Sequence, residues 1–70
     1  MKNKRLLKIY YLSKDFGNYS IIVHLNEIFD DFTRFSFCDA FTVANLIVSQ
    51  NLHKDLQNVI LVNAEYIDVN

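Results

Sequence analysis

Lys4-Arg-Leu-Leu-Lys-Ile-Tyr-Tyr-Leu-Ser-Lys-Asp-Phe-Gly-Asn-Tyr-Ser-Ile-Ile-Val-His-Leu25 is the stretch that decides the fold. Over Lys4–Leu12 the side chains alternate, with Leu7, Ile9 and Tyr11 on one face and Leu6, Lys8, Tyr10 and Leu12 on the other. A period of two is what a strand imposes. Ser13–Asn18 contains the chain's one Gly and reads as a turn, because Gly17 and Asn18 both tolerate the positive φ that a hairpin often needs. Tyr19–Ile28 is the returning strand, rich in β-branched residues, with Ile21, Val23 and Leu25 on one face and Ser20, Ile22, His24 and Asn26 on the other. The opening is a hairpin.

Working outward, Phe29-Asp-Asp-Phe32 reads as a second turn in which Asp30 and Asp31 cap their own backbone. Thr33–Phe37 is a short third strand, aromatic on one face (Thr33, Phe35, Phe37) and polar on the other (Arg34, Ser36). Cys38 to about Leu52 is the one convincing helix. Ala40, Phe41, Val43, Ala44, Ile47, Val48 and Leu52 share a broad side, opposite Thr42, Asn45, Ser49 and Gln50. Leu46 falls among the polar residues, which makes it a candidate contact residue. Ser36 or Asp39 is placed to cap the helix start, and His53 or Lys54 suits its negative end. Asn58–Val69 is the last strand. A long strand bulged at Asn63-Ala64 is preferred to a second hairpin, since Asn-Ala is a poor tight turn compared with Asn-Gly. The expected architecture is α+β: a β-β-β-α-β chain whose antiparallel sheet of about four strands carries one amphipathic helix on one face.

Seventy residues make one domain, covering 1–70. A chain this short buries only about 60% of the surface it exposes when unfolded, so disulfides, metals or a second subunit usually help. Cys38 is the only Cys, which excludes an internal disulfide, and no two of His24, His53 and Cys38 sit at metal-ligand spacing. No metal or cofactor is expected. Oligomerisation remains, and a homodimer formed through the bare sheet face or an edge strand is expected. The open face would carry Leu6, Tyr10, Leu12, Ile22 and His24, too apolar a set to stay wholly wet. One unpaired Cys, no secretory pattern and no apolar run near the length of a membrane span point to a cytoplasmic, membrane-free setting.

The net charge of −1 is segregated. Residues 1–26 hold five basic groups against Asp15, a net of +4, and residues 27–70 hold two against seven acids, a net of −5. Lys2, Lys4, Arg5 and Lys8, with Tyr10 and Tyr11 interleaved, are the argument for a nucleic-acid-binding regulator, since cations meet phosphates and rings stack on bases. The overall negative charge weighs against it. Glu27, Asp30 and Asp31 form an acidic cluster without the Gly-containing loop that hard cations need. It reads as a solvated turn or as a patch for a basic protein partner.

Catalysis finds little footing. His24 would need an orienting carboxylate, and Glu27 on a continuing strand falls on the opposite face. A surface His that faces a partner is the plainer reading. Cys38 beside Asp39 at a helix start would have a lowered thiol pKa, but neither His is placed to activate it, and a packing Cys is the plainer reading. The chain is expected not to be an enzyme.

The hairpin Lys4–Leu12 and Tyr19–Ile28, the strand Thr33–Phe37 leading straight into the Cys38–Leu52 helix, and the last strand Asn58–Val69 together resemble the layout of small phage-encoded anti-defence proteins, anti-CRISPR proteins among them. The resemblance covers nearly the whole chain and rests on length, element order and composition; that group shares no motif, so no functional residue carries over. It implies a protein in the host cytoplasm that blocks a bacterial nuclease complex by direct contact. Glu27, Asp30, Asp31, Asp39, Glu65 and Asp68 would then imitate phosphates against a basic groove. The expected function is a protein-binding module that occludes a partner's surface, with Glu27, Asp30, Asp31, Tyr10 and Leu46 as its contact residues.

Overall fold

The computed structural model describes residues 3–29 and 38–69. The protein is a small α+β fold: the described residues form a three-stranded antiparallel sheet in the order β2-β1-β3 with one helix longer than a single turn. The strands are β1 (Asn3–Leu12), β2 (Asn18–His24) and β3 (Ile60–Val69). The third strand expected at Thr33–Phe37 lies outside the described residues, as do Lys2, Asp30 and Asp31.

β1 and β2 form the expected hairpin, running from Leu6↔His24 to Leu12↔Asn18. Its turn differs from expectation. The positive φ falls on Phe16, at 65°, and not on Gly17 or Asn18. Gly17 matters for a different reason: a Cβ there would lie 2.7 Å from the far end of the Tyr19 ring, which would have to move aside. That ring stacks on Tyr11 with centroids 5.9 Å apart and donates its hydroxyl to Asp15 Oδ2 at 3.3 Å. Asp15 organises the loop, with Oδ1 accepting from the Gly17 N–H at 2.9 Å and from the Ser13 hydroxyl. These bonds, that from Ser13 foremost, hold the Asp15 carboxyl below the usual carboxylate range.

Phe16 is thus a bulky residue in left-handed backbone with a ring 80% exposed. Such a backbone costs an L-residue roughly 1–2 kcal/mol, and the solvated ring returns little packing. Phe16→Gly is expected to stabilise the fold by about 1 kcal/mol, after part of the relief is lost to the greater freedom of unfolded Gly. Urea denaturation checks this; a less stable variant would mean that the ring packs where it is here solvated.

β2 is shorter than the expected Tyr19–Ile28. After His24 the chain closes into one helical turn, α1 (Leu25–Ile28), which drops Leu25 into the core at 0% exposure. Glu27 therefore sits exposed on a helical turn and not on a strand.

The main helix, α2 (Ala40–Ser49), begins one to two residues later and ends earlier than the expected Cys38–Leu52. Asp39 is its N-cap, with Oδ1 accepting from the Thr42 N–H at 3.3 Å. It buries Val43, Ala44 and Ile47, flanked by Ala40 and Val48. Phe41 and Leu52, expected on the core side, are 44% and 41% exposed. At roughly 100° per residue the buried stripe centres between Ala40 and Ile47, which rolls Phe41 onto the flank, while Leu52 lies past the end of the helix.

The connection is a 3₁₀ turn (Lys54–Leu56), and Leu56 enters the core at 0% exposure, a core residue that periodicity did not reveal. His53 caps this turn by accepting from the Asp55 N–H on Nδ1 at 3.2 Å, instead of facing the end of α2. β3 is the long strand expected, but it begins at Ile60 and not at Asn58, whose φ of 60° still belongs to the turn, and its bulge falls at Val62 and not at Asn63-Ala64. Between Tyr10↔Asn63 and Tyr11↔Leu61 the register shifts by one residue. The core is one cluster among the described residues, built on Leu7, Ile9, Val23, Leu25, Val43, Ala44, Ile47 and Leu56. All of it lies on the helix side of the sheet.

Candidate functional site: the open face of the sheet

Alternation from the buried Leu7, Ile9 and Val23 turns Leu6, Lys8, Tyr10 and Leu12 of β1 and Ser20, Ile22 and His24 of β2 to the other face. This matches the sequence-based assignment. β3 adds residues that alternation alone would divide differently. Leu61, Ala64 and Tyr66 pack on the core, so the two residues between Leu61 and Ala64, Val62 and Asn63, both stand opposite Tyr10. Ile60, Val62, Asn63, Glu65 and Ile67 therefore all belong to the open face. No described helix covers it. Ile60 is 62% exposed, Val62 54% and Ile22 50%.

The polar groups on this face are few and organised. Tyr10 donates its hydroxyl to Glu65 Oε2 at 2.6 Å. Lys8 Nζ lies 5.1 Å from the Tyr10 ring centroid, a cation–π contact. Lys8 and Glu65 are cross-strand partners in register, yet each engages Tyr10 in the next row. An open depression runs past Tyr10, Asn18, Val62 and Glu65.

The sequence-based candidates separate in space. Tyr10 is at the centre of the open face, while Leu46 is half-buried on α2, across the sheet from Tyr10, beside a second depression lined also by Cys38, Thr42 and Ser49. Glu65 is on the open face and Asp39 caps the helix on the other, so these two acids do not form one phosphate-like row. Of the basic set, Lys4 and Arg5 belong to β1, and Lys8 sits over Tyr10 and opposite Glu65. His24 is exposed on the open face, and Cys38 is half-buried at the start of α2. Its carbonyl accepts the Tyr66 hydroxyl at 2.8 Å, which pins β3 to the helix entrance, and burial pushes the Tyr66 phenol above its ordinary pKa. Among the described residues no three of His, Cys, Asp and Glu gather at metal-binding range. None of their helices is long and apolar enough to cross a membrane.

Alternation alone would divide β3 wrongly, since it assumes an unbroken ladder; the extra residue at Val62 breaks it, and nothing in the sequence marks Val62 as that residue. No protein-family model, curated protein or solved structure matches the chain.

Proposed function

We propose that this protein is a binding module that works by laying its open sheet face against another protein. The observation that carries the reading is the exposure of Ile60, Val62 and Ile22 on one continuous face, with Tyr10 at its centre. Apolar side chains grouped on a sheet face and rimmed by polar ones mark interaction surfaces more often than solvated ones. A ring held in place by both Lys8 and Glu65 meets a partner without first losing rotamer freedom. In the setting that the resemblance to phage anti-defence proteins implies, the occluded surface would belong to a bacterial nuclease complex. Contact through the sheet face then replaces phosphate mimicry as the means of inhibition, because the described acids are not gathered. The additional strand expected at Thr33–Phe37 belongs to the same proposal, as it would widen the sheet to four strands and present Arg34 and Ser36 beside the apolar residues.

The test is capture from host lysate with three baits: the wild type, an Ile60→Lys/Val62→Lys variant, and a Phe41→Lys control on the exposed flank of α2. The first and third are expected to retain the same partner, and the second to lose it. Retention by the sheet-face variant would overturn the reading.

A further inference from the structure

The order of side chains across β1 and β3 is self-complementary. The rows of the ladder pair Leu6 with Ile67, Lys8 with Glu65, Tyr10 with Asn63 and Leu12 with Ile60. A two-fold axis parallel to the strands and midway between β1 and β3 sets each β1 residue over the partner copy's version of its own neighbour. Lys8 then faces the partner copy's Glu65, and Glu65 faces the partner copy's Lys8. The outer rows bring Leu6 over Ile67 and Leu12 over Ile60, apolar on apolar. A two-fold axis running across the strands at the same row would instead place Lys8 over Lys8 and Glu65 over Glu65, like charges at the centre of a desolvated face. Only one of the two orientations suits this surface.

We infer that the occupant of the open face is a second copy of this chain, docked sheet to sheet about a two-fold axis parallel to β1 and β3, with reciprocal Lys8–Glu65 pairs at its centre. The inference rests on the reading of the open face as a binding surface and names what covers it while no other protein is bound. The packing is that of an aligned β-sandwich, two sheets about 10 Å apart whose twist makes the strands cross at about 30°, with the helices outermost. Twist spreads the end rows and leaves the two inner rows best aligned, those of Lys8–Glu65 and Tyr10–Asn63. Ser20 and His24, exposed and polar, lie on β2 away from the axis and fall on the rim. Each copy contributes nine side chains from β1 and β3, fewer than the 20–30 residues a side of a standard interface. The dimer is therefore weak, and monomers exchange freely.

Sedimentation velocity across about 5–500 μM, a range suited to such a small interface, tests this with the full chain. The wild type is expected to rise with concentration from 8.2 kDa toward twice that mass. Lys8→Glu and Glu65→Lys, each confirmed as folded by circular dichroism, are each expected to weaken self-association by about tenfold or more. The first variant carries two carboxylates in the Lys8–Glu65 row and the second two ammonium groups, so an equimolar mixture of the two restores both pairs and is expected to dimerise as the wild type does. Recovery in the mixture separates contact between copies from cross-strand stability within one copy. Glu65→Gln, which keeps an acceptor for Tyr10, serves if the charge reversals do not fold, and is expected to weaken the dimer with a reduced salt dependence. A wild type that stays at 8.2 kDa throughout overturns the dimer and leaves the binding reading to the lysate experiment; a mixture no better than its components overturns the axis.

Discussion

Ile9→Ala is expected to cost about 3 kcal/mol, the largest single effect here, within the range of roughly 2–5 kcal/mol for truncating a buried aliphatic side chain. Ile9 is 0% exposed on the central strand, with Ile21 and Ala64 beside it in register. The small Ala64 cannot spread to fill the vacated space, and β1 is paired on both sides, so its backbone cannot move inward. A chain of 70 residues has roughly 4–10 kcal/mol of stability in total. The substitution therefore removes a third or more of it. Chemical denaturation at one fixed protein concentration is the measurement, because self-association would make the midpoint depend on concentration. At a slope of about 1 kcal/mol/M in urea, the midpoint should fall by about 3 M. A shift under about 0.5 M would mean that this position can be repacked, contrary to the burial seen here.

Asn51→Val is expected to cost about 2 kcal/mol through the end of the helix. After Ser49 the Leu52 N–H bonds the Ile47 carbonyl at 2.9 Å and the Asn51 N–H bonds the Val48 carbonyl at 3.2 Å. This is the Schellman arrangement, and Asn51 supplies its left-handed residue at φ 54°. Asn tolerates that region because its short polar side chain bonds locally; a β-branched residue there carries a penalty of about 1–2 kcal/mol or more. Asn51→Gly is the paired control and should match the wild type or exceed it slightly. Both are read by thermal melting. Equal stability of the Val and Gly variants would show that the chain leaves the helix in some other way.

The same residue explains why the helix is shorter than periodicity implies. Phe41 and Leu52 extend an apolar stripe on a helical wheel, and nothing in a wheel registers where the backbone turns left-handed. Leu56 was hidden for a related reason: a 3₁₀ turn of three residues has no period to detect. Leu25 was placed correctly in the core, but as a strand residue, because one helical turn and one more strand residue bury the same side chain. In the hairpin, the positive φ expected at Gly17 or Asn18 is taken by Phe16, and Gly17 instead leaves room for the Tyr19 ring, a contact formed only once Tyr19 stacks on Tyr11.

Local chemistry by itself determined the hairpin, a helix after Cys38 with its cap at Ser36 or Asp39, and which residues of β1 and β2 share a face. Each depends on neighbours within a few residues, where period, capping and turn preference act. Tertiary structure decided the membership of the open face. One extra residue in β3 reverses which side chains beyond it meet the core, and that register is set by pairing with β1, more than fifty residues away in the chain. Ile60, Val62, Glu65 and Ile67 came onto one face with Lys8 and Tyr10 through that long-range pairing, because a strand's alternation is local and its register is not.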